Sequence, residues 1–595
     1  MPTEIPGPPG VPLLGNIFDV NPNETWNSLN KLAKQYGPIF KINALGHQIV
    51  FIGSVALVEE ICDETRFRKC VTGPVLEIRY SVHDGLFSAK HSEMKPWGIA
   101  HRIMYPHVTQ EATDAGFADM AEVIPDLTKK WTSGTKQRTL ATDDLDRILL
   151  ASCMKCFFNQ RVHVLGNDAQ SVKAKKMVDA WEGATMEAMK RPTRPKLLNL
   201  LYQSRFSSLT KTMRSYATDI VNSRLNNPDQ ARKDMLDAIL NGVDPETGEK
   251  LTDSQHLDEI VTIFIGAATA ANLVSYALYY LMENPEPLKK AQEELDSVVG
   301  DGPIDLAHLT QLNYVEACLR EAIRLSATAP GFNIEPIPPK EKSDKSPVLL
   351  AGGEYQIPNN QPMIAILNAV NRDPAVFEFP EEFKPEQVLG EKWDKLPAAA
   401  KKGFGNGKRE CIGKKWAWQW AFFTLASIVK DVSFELEDKN YKLHANGAFS
   451  IKPLDMWTLM SPRNGGNLSD SSFAEYIAAK EHINIKLPDW VSFPDGATLA
   501  VGITTVAQGM YQQLQLPLPE PSPPLSVQPG AAKELILIYG GSFATGTLAI
   551  QFAKRSAYTV ITTCSPHKFA LVRARGVDHV LDHHSPALAQ WARID

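Results

Sequence analysis

The sequence predicts a mainly α-helical chain with a small β-lobe, followed by a partial α/β segment. Three observations carry that expectation. From about residue 25 to 330, segments such as WNSLNKLAKQYG, ALVEEICDETRF and EPLKKAQEELDSVVG repeat apolar residues at i, i+3, i+4 and i+7, the period of a helix with one buried face. Strand-like stretches are few: PIFKINALGHQIVFIG alternates around a turn and reads as a hairpin, and another piece lies near GEYQIP within a Pro-rich stretch at 333–402. Beyond residue 530, ELILIYGGSFATGTLAIQFAKRSAYTVITTC runs strand, Gly turn, helix, strand, a βαβ unit.

A chain of 595 residues is long enough for one large domain plus an appendage. The polar, Gly/Ser-rich SPRNGGNLSDSS near 463 marks a junction, so the expected domains are 1–462 and 463–595. A second loop, LPEPSPPLSVQPG at 518–530, divides the latter into 463–530 and 531–595. A net charge of -6 without a basic stripe argues against nucleic-acid binding. Seven cysteines without framework spacing fit a reducing, cytoplasmic setting rather than a disulfide-stapled one. Cys153 and Cys156 lie one turn apart in an apolar helical stretch and read as core cysteines rather than a metal or redox pair. The amino terminus lacks a basic region followed by an apolar run, so neither a signal peptide nor a membrane anchor is expected there. Residues 261–282 carry no charge, yet Thr, Asn, Ser and two Tyr interrupt them; a buried central helix is expected.

The most informative segment is GFGNGKRECIGKKWAWQWAFFTLA. Cys411 stands between Gly407 and Gly413, just ahead of an apolar helical run. A thiolate that ligates the iron of a flat macrocycle needs close backbone approach, which glycine permits. It also needs amide donors, which the following helix N-terminus supplies. Arg409 would meet a haem propionate, and Phe404 would pack beside the sulfur and tune its donation. The alternative is a structural cysteine in a Gly-rich turn.

The pattern FxxGxRxCxG resembles the cysteine-ligand loop of cytochromes P450. The family's second signature, ExxR on a helix, matches Glu321 and Arg324 in LREAIRL, which one helical turn places on the same face. YGPIFKINALGHQIVFIGS, CDETRFRK, DGLF, NGVDPETGE, ALYYLMENPE, RLSATAPGF and FGNGKRECIG occur in the order found in haem domains of bacterial and fungal self-sufficient fatty-acid hydroxylases. The resemblance spans about residues 5 to 462. It implies a mainly helical triangular prism with a small β-lobe and haem b on Cys411. By the same resemblance Trp97, His101 and Lys69 meet the propionates, Phe87 sits over the haem face, and Ala329 with Pro330 forms the apolar rim opposite.

Departures from the family are informative. Its central helix carries a small residue, Gly, any residue, an acid, then Thr; here the run is IGAAT. Gly266 and Thr269 are kept, and Thr269 would hold dioxygen at the haem and relay protons to it. Ala268 replaces the acid and Ile265 the small residue. Oxygen activation through a water chain with poorer coupling is one outcome. The other is haem chemistry without reductive oxygen cleavage, such as isomerisation or dehydration. Gln387 stands where an Arg would join the Glu321–Arg324 pair. At the channel mouth, His47 and Phe51 occupy the positions of a carboxylate-anchoring pair, so a free fatty acid has no evident anchor.

Self-sufficient relatives continue into flavin modules, and this chain does not. Its tail resembles medium-chain dehydrogenases, especially stand-alone enoyl reductases that serve fungal polyketide synthases. That resemblance would put NADP pyrophosphate against Gly540, Gly541 and Gly546, and its 2′-phosphate near Ser565 and Lys568. The tail covers only part of that family's fold, so no competent reductase is expected. A fusion relic, an artefact of gene prediction or a docking appendage are the readings of this segment. For the whole chain, the expectation is a haem-thiolate monooxygenase that hydroxylates an apolar chain with electrons from a separate NADPH–cytochrome P450 reductase, in fungal secondary metabolism. A haem isomerase or dehydratase, a catalytically silent haem-binding fusion and a bifunctional enzyme with working enoyl reduction are the alternatives.

Overall fold

The computed structural model describes residues 3–463 except 84, 135, 228–231 and 342, together with 490–492, 500–518 and 534–585. The expected junction beyond residue 463, the 519–530 part of the loop and the end of the chain lie outside the described residues. The chain divides into two compact units, residues 1–471 and 472–595.

The first unit opens with α1 (Thr25–Tyr36) and the hairpin β1 (Ile39–Ala44) and β2 (His47–Ile52). Leu45 and Gly46 at its tip both have positive φ, 52° and 82°, the pattern of a tight turn matched to strand twist. With β3 (Phe67–Lys69), β5 (Gly331–Pro336) and β8 (Met363–Ile366), the hairpin forms a five-stranded sheet in the order β1-β2-β8-β5-β3. β4 (Gln137–Leu140), β10 (Trp457–Pro462) and β9 (Val432–Leu436) form a second sheet, in that order. β6 (Val348–Leu350) pairs with β7 (Tyr355–Ile357), the strand foreseen in GEYQIP.

The rest of the unit is helical. Its main helices are α2 (Met94–Met104), α3 (Ala141–Phe158), α4 (Ala169–Lys190), α5 (Lys196–Asn226), α6 (Asp253–Glu283), α7 (Asn313–Leu325) and α8 (Lys414–Asp431). α6 starts at a capping box in which Thr252 and Gln255 satisfy each other's backbone N–H. It is long and apolar enough to cross a membrane by length and composition. In the fold α3, α5, α7 and α8 pack around it, and Phe264, Leu273, Val274 and Leu278 are buried on several sides. That surround explains its lack of a polar face. Cys153 and Cys156 lie in α3 with thiols pushed up by burial, and no metal-holding His/Cys/Asp/Glu group occurs among the described residues.

Glu321 and Arg324 meet on α7 as a buried bidentate pair, with Arg324 Nε and Nη2 2.7 and 2.8 Å from the two carboxylate oxygens. Arg324 also donates to the carbonyls of Asn371, Pro380 and Glu382, so one side chain pins the loop that leads toward Cys411.

The second unit contains α9 (Ala500–Ala507), β11 (Leu535–Ile538), α10 (Ala544–Arg555), β12 (Thr559–Cys564) and β13 (His579–Asp582). The three strands are parallel in the order β11-β12-β13, and β11–α10–β12 is the βαβ unit read from the sequence. Val506, Met510, Ile550, Val560 and Val572 form its core.

Candidate active site

A cavity of about 500 Å³ lies inside the first unit, within the size range of small-molecule and cofactor sites. The loop before α8 forms one wall and the middle of α6 another. Backbone geometry shapes the loop: Gly405 and Gly407 have φ of 87° and 59°, and a Cβ at Gly407 would collide with the Glu64 carboxylate. That carboxylate accepts from Lys408 N–H at 2.8 Å, and Asn406 Nδ2 donates to the Cys62 carbonyl at 2.8 Å. Cys411 N–H closes the loop on the Phe404 carbonyl at 2.9 Å.

The Cys411 side chain is enclosed by protein, yet its surface is accessible. That surface opens into the cavity. Burial pushes the thiol pKa up, and a hydrogen bond from the Gly413 backbone pulls it back. A free thiolate is therefore disfavoured here, and a bound metal cation would offset that penalty.

On the α6 wall, Gly266 is exposed in a helix whose neighbours Ile265 and Ala268 are buried. A Cβ at Gly266 would meet no atom within 4 Å, which leaves open space beside this turn. Thr269 Oγ1 donates to the Gly266 carbonyl at 2.9 Å and lines the same cavity.

A third wall gathers cations. Burial and then Arg409 lower the Lys69 pKa to about 7, with Cys411 acting the other way. Lys69 Nζ donates to the Phe87 carbonyl at 2.9 Å and lies 4.5 Å from the centroid of its ring. Burial lowers Arg409 to about 10; its guanidinium donates to the carbonyls of Leu86 and Ala89 and lies 5.1 Å from the Trp97 ring. Trp97 and His101 lie on one face of α2 with ring centroids 4.8 Å apart. Burial lowers the His101 pKa, and Arg102 and Arg409 add to that. Two buried cations beside two ring N–H groups favour an anionic ligand. An accessible sulfur, an open helix turn on the same cavity and this cationic wall fit a flat, iron-bearing, dianionic macrocycle such as haem.

Phe404, Phe87, Ala329 and Phe51 also line the cavity. Phe87 meets Phe449 edge-on at 5.3 Å, and Phe51 is buried and stacked on Phe40 at 5.1 Å. Two expected pocket residues are placed differently. His47 begins β2 beside the hairpin tip, is exposed and does not line the cavity. Pro330 is buried behind the rim, where its carbonyl accepts from Leu367 N–H. Gln387 takes part in the bracing: its Nε2 donates to Glu321 Oε1 at 2.6 Å, while its buried Oε1 has no partner among the described residues.

The cavity also contains residues that the sequence did not single out. Trp26 and Leu29 of α1, and Trp181, Thr185 and Met189 of α4, widen its apolar lining. Helical spacing on α1 and α4 is their only signal. A polar group of Asp146, Glu182, Lys452, Ser450 and Asn272 also faces in, and no local pattern joins residues so far apart in the chain.

In the second unit, Gly540 has φ of 76° and its N–H donates to Thr563 Oγ1 at 3.1 Å. Side chains at Gly541 and Gly546 would collide with Thr562 and with the Gly540 carbonyl. These glycines let β11, β12 and α10 close together around the turn. Ser565 and Lys568 bracket the short turn after β12.

The sequence model of the cytochrome P450 family, "Cytochrome P450", matches residues 5–458. A bifunctional cytochrome P450/NADPH–P450 reductase of Aspergillus oryzae is 35% identical over 487 residues, 81% of this chain and 43% of its own length. The bifunctional cytochrome P450/NADPH–P450 reductase ascE of Acremonium egyptiacum is 36% identical over 76% of this chain and 42% of its own. The self-sufficient cytochrome P450 monooxygenase CYP505E4 of Penicillium freii is 37% identical, with the same two shares. The chain thus spans less than half the length of these curated relatives.

Proposed function

The chain belongs to the cytochrome P450 family, and from that premise we propose that it is a haem-thiolate monooxygenase that hydroxylates an apolar chain. When bound, haem b supplies oxygen activation at iron. Cys411 would ligate the haem iron in this reading, and the backbone N–H of Gly413 would support its thiolate. Arg409, Lys69, Trp97 and His101 hold the propionates, while Phe404 packs beside the ligand loop. Thr269, hydrogen-bonded to the Gly266 carbonyl, positions a hydroxyl for proton transfer. Phe87, Ala329 and Phe51 exclude water and orient the substrate. The single observation that carries this reading is the accessible Cys411 sulfur in the cavity that an open turn of α6 also lines.

The lining, dominated by apolar side chains, supports an apolar substrate. A fatty chain or polyketide-like intermediate without a required carboxylate fits it. The relatives' names join the P450 to its reductase; here we assign the electrons to NADPH through a reductase on a separate chain, in the cytoplasm. The fungal source of those relatives supports a place in fungal secondary metabolism. The second unit is read as a fragment resembling medium-chain enoyl reductases, with Gly540, Gly541, Gly546, Ser565 and Lys568 as a remnant NADP site. A second reading, a haem isomerase or dehydratase, is favoured by one observation: Ala268 and Ile265 stand on the cavity wall in place of an acid and a small residue.

Reduced protein under carbon monoxide should show the thiolate-ligated absorption band that names the family, and Cys411→Ser should lose it. With added reductase, NADPH oxidation and oxygen uptake should accompany product. Product formed without reductant would overturn the monooxygenase reading in favour of the second.

A further inference from the structure

The cavity holds a buried charge cluster that the ligand and substrate walls do not use. Asp146 of α3 is 1% exposed, and Lys452 Nζ lies 2.9 Å from its Oδ2. The same ammonium pairs with Glu182 of α4. The neighbouring carboxylates of α3 are engaged elsewhere: Arg147 holds Asp143 and Asp144, and Lys130 and Trp131 also bind Asp144. Asp146 alone of the three lines the cavity.

Charge counting shows what the cluster can do. Two carboxylates share one ammonium and Asp146 is the buried one, so full ionisation would leave the Asp146 carboxylate out of water with only a shared counter-charge. Burial first, and then Glu182, push the Asp146 carboxyl up to about 7, against Lys452. The charged groups that face Asp146 are Lys452 from the C-terminal segment and Glu182 from α4. Glu182 is about a third exposed and can exchange with water entering the cavity.

The segment that carries Lys452 also bonds to α6. Ser450, two residues before Lys452, accepts from Asn272 Nδ2 at 2.7 Å. Asn272 lies one turn beyond Thr269 on α6 and is 3% exposed. Its buried Oδ1 has no partner among the described residues, leaving an acceptor for a water or hydroxyl beside Thr269. Asp146, Lys452, Ser450, Asn272 and Thr269 all line one cavity.

We propose that the Asp146–Lys452–Glu182 cluster replaces the acid lost at Ala268, delivering protons along the Ser450–Asn272 edge to Thr269. This rests on the monooxygenase reading. NADPH, through the reductase, supplies two electrons; with two protons, dioxygen and substrate give hydroxylated product and water. The cluster moves only protons: one leaves the Asp146 carboxyl for cavity water and passes to the Thr269 hydroxyl, which hands its own to the reacting oxygen. Glu182 returns a proton to Asp146. Ser450 and Asn272 are positioning residues.

The test uses the full haem-loaded chain with added NADPH–P450 reductase and dodecanol as probe. The fraction of NADPH electrons recovered as hydrogen peroxide is measured in light and heavy water. Asp146→Asn should slow oxygen use roughly a hundred- to ten-thousandfold, the scale of a lost proton donor, and raise both the peroxide fraction and the solvent isotope effect. Adding Ala268→Glu to that variant should restore both. Wild-type values in Asp146→Asn, or no rescue by Ala268→Glu, overturn the proposal. A second readout needs no turnover: the resting protein should show an infrared carboxylic-acid band that titrates in the neutral range. That band should shift to lower pH in Glu182→Gln, and an unshifted or absent band overturns the proposal even where Asp146→Asn does not fold. Wild type that takes up no oxygen with reductase instead defeats the underlying monooxygenase reading.

Discussion

Gln387 Nε2 donates to Glu321 Oε1, the same carboxylate oxygen that Arg324 Nη2 and the backbone N–H of Lys384 approach at 2.8 and 2.9 Å. One buried acid therefore ties α7 to two points of the loop that leads to Cys411. Arg324 carries the charge, and Gln387 supplies a neutral bond with one end unsatisfied. Replacing Arg324 by Ala leaves a buried carboxylate unpaired and should destabilise the haem unit by about 3–5 kcal/mol. Gln387→Ala removes one hydrogen bond and should lower stability by about 1–2 kcal/mol. Thermal melts followed by haem absorbance check the order of the two, and equal losses would contradict it.

Lys69 predicts a pH dependence in the haem-free chain. Its folded pKa, about 7, lies far below that of a free lysine because burial, and then Arg409, disfavours the ammonium. Below pH 7 it is charged in both states, and the full burial penalty acts on the fold. Between pH 7 and the lysine's ordinary value the unfolded chain binds one more proton, so stability rises with pH across that window. Lys69→Met should flatten the rise. An anion in the cavity reverses the preference, so haem binding should take up a proton at pH 8 in wild type and not in Lys69→Met, as pH-stat titration would read.

Ala268→Glu restores a carboxylic acid one residue before Thr269. If oxygen activation is the native chemistry, this variant should lower the peroxide fraction during NADPH oxidation. The gain should be small in the wild-type background, where the Asp146 cluster already delivers protons, and large when that cluster is disabled. No gain in either background would favour the isomerase or dehydratase reading.

The glycine turn of the second unit allows an independent check. A side chain at Gly540, φ 76°, costs about 1–2 kcal/mol in backbone strain and would press on the Phe543 ring at 2.9 Å. Gly540→Ala should speed proteolytic cleavage within residues 534–585 while leaving the carbon monoxide spectrum unchanged. In wild type, quenching of NADPH fluorescence that is lost in Lys568→Ala would support a nucleotide site there; no quenching would limit the unit to a structural role.

Much of this protein is legible in linear order because its chemistry is local. The Cys411 loop needs glycines, an arginine and a helix start within ten residues, so neighbouring positions spell it out. Helical and alternating periods likewise located α6, the β1–β2 hairpin and the βαβ unit. The spacing of Glu321 and Arg324 placed them on one face, but the carbonyls that Arg324 binds came only with folding. His47 and Pro330 lie outside the cavity lining, one at an exposed hairpin end and the other buried beside the lining residues Ala329 and Gly331. The Asp146–Lys452–Glu182 cluster had no signature at all, because Lys452 lies 306 and 270 residues from its two partners and meets them only through packing. Covalent proximity could point to Cys411. The groups around the cavity that hold charge and protons depend on which distant side chains are buried together, since burial sets whether a carboxyl keeps its proton.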